Sequence, residues 1–402
     1  MLLRLLLVGC LAVIVVSPTQ FSVEVAPGVH VTPADPLVWI VFAMWAAVML
    51  RRSGLKLIGN SLRLLSPLVL VFLLLAALSS VRATHRLSAY KDIFQFVEYF
   101  VAALLAFSIC RDAALRRTAA SVFLVVATVI VVIAQAQYWM PAVEAFDVRG
   151  TFGNCNVLGG YLSLVLPVMF GLVLFDRHLG RRLWLAAAIL LGSTVVLSGG
   201  TVLALVVVFI VMAAVRGRRA LYIVLPAVLL WLLVLLPALP RDNLDILYRS
   251  IACFTDDGTL NARYPEWQAA AVMALENPWL GVGIGNYQAN VGIYFGMIPN
   301  APVAARPDTQ NLFLVLASSM GIPGMLAFAG MLIVFIRRAA YGFAAPGDPF
   351  ERGLALGLAG ALPAFAINAV WSPLLVRGIG IPLAFVMALA TSCGGRRTGA
   401  AE

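Results

Sequence analysis

"SGGTVLALVVVFIVMAAVRGRR", Ser198 to Arg219, carries no charge across 200–215 and then closes on Arg216, Arg218 and Arg219. A helix that is apolar on every side belongs in a bilayer or a very large core. Runs of the same kind recur from residue 2 to residue 391, separated by short basic breaks. The chain is 62% hydrophobic and 11% charged, against about 25% charged in soluble domains, so a soluble fold is excluded. A transmembrane barrel would show alternating segments of about ten residues, and none appear. The reading is an all-α, polytopic membrane protein, a single integral membrane domain over 1–402.

The apolar runs predict about twelve transmembrane helices: 2–17, 36–50, 64–80, 89–110, 118–137, 155–175, 183–198, 200–215, 220–237, 318–336, 353–371 and 374–391. The first resembles a signal-peptide core, but Val16-Ser17-Pro18 is a poor cleavage context, so it reads as a retained helix. On this count Arg4, Arg51, Arg52, Lys56, Arg63, Arg111, Arg116, Arg117, Arg177, Arg181, Arg182, Arg216, Arg218, Arg219, Arg337, Arg338, Arg352, Arg396 and Arg397 share one face. The positive-inside rule makes that face cytoplasmic, with both termini on it. Orientation thus accounts for the net charge of +10, and no nucleic-acid partner is expected.

Between the ninth and tenth spans lies a large periplasmic loop, about 240–310, expected to hold short helices. Within it "NARYPEWQAAAVMALENPWLGVGIGNYQ", Asn261 to Gln288, is the most polar long stretch. Trp267 to Leu275 reads as a short helix ended by Asn277-Pro278. Gly281-x-Gly283-x-Gly285 lacks the preceding strand of a dinucleotide site. Its glycines permit a sharp turn, or close approach of backbone to a flat substrate or a neighbouring helix.

Few arginines face outward. Arg82, Arg86, Arg149, Arg263 and Arg377 either snorkel at the interface or bind a phosphate or diphosphate, for which the guanidinium fork is suited. Asn154 and Asn156 stand at the mouth of a span, where amides join helices or touch sugar hydroxyls. Asp308, Thr309, Gln310 and Asn311 precede another apolar run, with Asp308 or Thr309 a candidate helix cap. Gly321 and Gly324 allow a bend. The five cysteines and three histidines are scattered, so neither a disulfide framework nor a metal site is expected, and no cofactor is implied.

Three segments resemble the O-antigen ligase and polymerase family of bacterial envelope proteins. They are T-F-G-N-x-N-x-x-G from Thr151, R-x-x-x-W…E-N-P-x-x-G-x-G-x-G-N from Arg263 to Asn286, and Q-N-x-x-L…G-I-x-G from Gln310 to Gly324. The resemblance implies a glycosyltransferase that takes a glycan from undecaprenyl diphosphate outside the inner membrane. The acceptor is another lipid-linked repeat unit for a polysaccharide polymerase and lipid A-core for a ligase. Gln310 replaces the family's usual His, and Ser198-Gly199-Gly200 replaces Ser-Arg-Gly, which puts polymerase first and ligase second. The candidate catalytic residues are Arg263, Glu266, Asp308, Gln310 and Asn311. Arg82, Arg86, Arg149, Asn154, Asn156, Trp267, Gly283, Gly285, Asn286, Tyr287 and Arg377 are candidate substrate contacts. A chain-length regulator or a flippase would be the partners. The rival from another class, a transporter of lipid-linked glycan, would want charges along the middle of the spans, which are nearly free of them.

Overall fold

The structure, a computed structural model, describes residues 2–26, 29–52, 66–140, 143, 148–196, 198–235, 259–299 and 308–394. Its elements in order are α1 (Leu2–Val16), an antiparallel hairpin of β1 (Val23–Ala26) and β2 (Val29–Val31), and α2 (Ala34–Arg52). Then come α3 (Pro67–Ser79), α4 (Arg86–Cys110), α5 (Ala113–Trp139), α6 (Cys155–Phe175), α7 (Leu179–Thr194), α8 (Gly199–Arg216) and α9 (Arg218–Leu230). The last five are α10 (Thr259–Glu276), α11 (Tyr287–Phe295), α12 (Leu312–Ala344), α13 (Pro349–Ala369) and α14 (Gly380–Gly394).

Helix starts follow local chemistry. Asp112 accepts from the amides of Ala114 and Leu115, Asn154 from Val157, and Asp348 from Glu351, each satisfying an orphan donor of a first turn. Proline at the first helical position opens both α3 and α13. Gly321, with φ 77°, breaks α12 into two helical pieces, as its sequence allowed.

The expectation of about twelve spans is corrected. Among the described residues, six helices are long and apolar enough to cross a membrane: α4, α5, α6, α8, α12 and α13. Four more, in α1, α2, α3 and α14, are apolar but shorter. A 13- or 15-residue helix rises about 20–23 Å, short of a hydrocarbon core of about 30 Å. Apolar runs in the sequence therefore overcounted crossings. With the count falls the parity that placed both termini on one side, and with it the numbering of a loop between a ninth and a tenth span. Within 240–310 the described residues are 259–299 and 308–310. They hold α10, longer at its start than expected but ending before Asn277-Pro278, and α11.

α6 runs through the centre, almost wholly buried, and packs on α13. Gly171 of α6 meets Gly353 and Gly357 of α13 with no room for a β-carbon, so the two backbones touch. α4 packs on α14 where the Tyr99 ring lies against Gly380, which leaves no room for a β-carbon. At one end of the bundle the basic residues converge. Buried Arg116 (α5) makes a bidentate pair with buried Glu351 (α13) at 2.9 and 3.0 Å, and its third bond reaches the Cys110 carbonyl. Arg117 pairs with Asp348, Arg181 with Asp176, and Arg338 donates to Thr391.

Candidate functional site

At the other end of the bundle four segments meet around two tryptophans. Trp267 of α10 and Trp371, just beyond α13, have ring centroids 5.7 Å apart. Trp371 lies directly on Gly200, where a β-carbon would come within 2.6 Å of its side chain. The glycine pair before α8 thus makes room for this ring. Arg263, one turn before Trp267, holds its guanidinium 5.8 Å from the Trp371 ring centre. No described carboxylate forms a salt bridge with Arg263, which is partly exposed.

The segment before α12 closes the site. Trp267 donates its indole N–H to the Thr309 carbonyl at 2.8 Å, and the Asp308 amide donates to Glu266 at 3.3 Å. The Thr309 amide donates to the Tyr287 hydroxyl at 3.1 Å. Three bonds therefore fix 308–309 against α10 and α11. Gln310 follows with φ 47°, a left-handed conformation uncommon for a side chain-bearing residue. Its amide donates to the Asp308 carboxylate at 3.3 Å. Burial is the main force raising the carboxyl pKa of both Glu266 and Asp308 above the ordinary acidic range. For Glu266 the Asp308 amide bond and the nearby Arg263 charge oppose that shift, while the Asp308 charge adds to it. For Asp308 the Gln310 amide is the opposing contact.

The structure brings together Arg263, Glu266, Trp267, Asp308 and Gln310, but several other sequence candidates have structural duties. Asn311, and neither Asp308 nor Thr309, caps α12: its side-chain oxygen accepts from the amides of Phe313 and Leu314. Asn286 is fully buried. Its oxygen accepts from Thr84 and the His85 amide, and its nitrogen donates to the carbonyls of Ile284 and His85. Tyr287 sits in a small core with Ala269, Ala270 and Met273. The glycine run lies against the chain itself: Gly281 on Ser318 and Ser319, Gly283 on Ala83, Gly285 on Ser88. All three have positive φ, so the run is a fitted clasp between the α3–α4 turn and α12.

Arg82 and Arg86 border that clasp and are exposed, with Arg82 donating to Asn277 at 3.0 Å. A separate polar group surrounds Arg377, which pairs with Asp35 at 2.6 Å, while Gln20 bridges the Arg377 carbonyl and the Gly153 amide. Here lie exposed Arg149, Asn154, which caps α6, and Asn156.

Sequence reasoning missed Trp371, Thr201 and Asn368. Asn368 donates to the Thr201 hydroxyl at 2.9 Å beneath the tryptophans, and its own oxygen is buried with no partner among the described residues. The signal for Trp371 was a Trp-Ser-Pro break closing an apolar helix, which reads as an interfacial aromatic. Buried Glu98, one of whose carboxyl oxygens has no hydrogen-bond partner among the described residues, was also overlooked. Among the described residues no group of three His, Cys, Asp or Glu side chains could hold a metal ion.

Residues 185–329 match the family model Wzy_C, described as O-antigen ligase. The matched region runs from α7 to the middle of α12 and includes the Arg263–Asn286 and Gln310–Gly324 segments. No curated protein matches the chain.

Proposed function

We propose, from the match of residues 185–329 to the O-antigen ligase family model, that the chain has a glycan-transfer role in envelope biogenesis and works at the tryptophan site. There it moves a glycan from a polyprenyl diphosphate to an acceptor hydroxyl. Arg263 carries the reading. It is a partly exposed arginine that forms no salt bridge with a described carboxylate, with Glu266 nearby and the Trp371 ring centre 5.8 Å away. Its fork suits the diphosphate and neutralises the charge that grows there as the group leaves. The bond between the anomeric carbon and diphosphate oxygen breaks, and the acceptor oxygen bonds to that carbon. The hydroxyl proton passes to Glu266 or Asp308. Trp267 and Trp371 offer flat apolar faces to sugar rings.

The family's description names ligation, the second of the two readings drawn from the sequence, and this reading now comes first. Polymerisation remains as the second reading on one observation: Gln310 cannot accept a proton as an imidazole does. The site lies at the end opposite the clustered arginines, so the positive-inside rule supports an outward-facing reaction. Electrophoresis of surface glycans from a deletion strain, complemented with wild type or Arg263→Ala, tests all of this. Ligase predicts long polymer stranded on the lipid carrier; polymerase predicts single repeats on lipid A-core. Wild-type glycans in the deletion strain would overturn both.

A further inference from the structure

A cavity of about 320 Å³ opens at the basic end of the bundle, between the ends of α6 and α8 and the α12–α13 turn. Arg177, Arg216 and Arg352 line it together with Phe175 and Phe343. The Arg216 guanidinium lies 4.5 Å from the Phe175 ring centre, and Arg352 lies 5.2 Å from Phe175 and 5.5 Å from Phe343. The aromatic faces hold two charged forks at one opening. Neighbouring carboxylates are committed elsewhere: Asp176 to Arg181, Asp348 to Arg117, and Glu351 to Arg116. None forms a salt bridge with the three lining arginines. The Arg216 Nε donates to the Leu174 carbonyl at 3.2 Å, and Arg177 has no hydrogen bond, ion pair or ring contact among the described residues.

Three arginines converging without a counter-ion among the described residues repel one another, and the arrangement is relieved by an anion with several acceptor oxygens. We propose that this cavity seats a phosphate group supplied by the headgroup of an anionic phospholipid. The supply from lipid follows from the surroundings. The cavity sits where the apolar spans α6, α8 and α13 end, which is headgroup level. From its rim the exposed Val215, Val211 and Val207 run down one face of α8, a continuous apolar path for an acyl chain. The site is at the opposite end from the tryptophans and does not depend on the transfer reaction proposed above.

The test is thermal unfolding of the purified full-length chain in neutral detergent, titrated with phosphatidylglycerol, phosphatidylcholine or inorganic phosphate. Phosphatidylglycerol raises the midpoint saturably and phosphatidylcholine does not. Removing one cationic contact, by Arg352→Gln or by Arg177→Gln, raises the half-saturating concentration about fivefold. Arg177→Gln breaks no internal contact among the described residues, so its effect reports binding rather than folding. Arg218→Gln removes equal charge outside the cavity and leaves the curve unchanged. Equal responses to both lipids, or an Arg218→Gln effect matching that of Arg352→Gln, would overturn the proposal. A response to inorganic phosphate alone, dependent on Arg352, would reject the lipid as the source.

Discussion

The indole N–H of Trp267 donates to the carbonyl of Thr309 at 2.8 Å, tying α10 to the segment that carries Asp308 and Gln310. One side chain thus serves two ends: its ring faces Trp371, and its nitrogen sets where the carboxyl groups stand. Trp267→Phe keeps an aromatic ring and deletes the donor, leaving a carbonyl short of its partner. We expect a loss of about tenfold in transfer rate, near what one net hydrogen bond is worth. A rate assay on purified protein with lipid-linked donor checks this. Unchanged turnover would show that the tie is dispensable for the site.

Arg263→Lys separates charge from geometry. Lysine places a positive point charge there but offers no fork. If bidentate contact stabilises the departing diphosphate, the variant loses on the order of 100-fold in rate while remaining in the membrane at normal level. A lysine variant with full activity would leave Arg263 only its electrostatic or stacking role.

How much of this was legible beforehand differs between fold and site. The helical, membrane-embedded class followed from apolar runs such as 200–215, because every side chain there faces helix or lipid. The number of crossings did not, since runs like 67–79 are apolar along their whole length yet too short to cross. At the site, Arg263 and Trp267 were readable from helical spacing on one segment, with Glu266 one residue off that face. Trp371 and Asn368 were not, because their meeting with Trp267 and Thr201 depends on tertiary packing of α8, α10 and α13. Asn286 misled for a related reason. A polar residue beside glycines looks like a ligand contact until its four internal bonds are seen.

The Arg116–Glu351 pair predicts a stability result independent of catalysis. Both side chains are almost wholly buried, so Arg116→Met alone deprives the Glu351 carboxylate of its bidentate partner, leaving it the longer 3.5 Å contact with Arg117, and should cost about 3 kcal/mol. The double change Arg116→Met with Glu351→Leu removes both charges and should recover most of that loss. Thermal unfolding of the three proteins in detergent decides it. Equal destabilisation by single and double variants would show that packing of α5 on α13, and not an uncompensated charge, dominates.

Finally, the raised pKa of Glu266 and Asp308 shapes how activity should follow pH. Burial disfavours their charged forms, so each keeps its proton to a higher pH than an exposed carboxyl would. A carboxylate must be ionised to take the acceptor's proton, so the rate should climb with rising pH. Its half-maximum should lie above the ordinary value for whichever carboxyl acts, about 4.3 for a glutamate and about 3.9 for an aspartate. Glu266→Gln fixes that position in a neutral, protonated-like form, and Asp308→Asn does the same for its neighbour. If Glu266 is the base, its variant should be slow at every pH and lose the rising limb, while Asp308→Asn keeps a limb displaced towards lower pH. The displacement follows because one source of negative charge beside Glu266 is gone. The reverse pattern would make Asp308 the base, and a full limb in both variants would assign the proton to the departing diphosphate.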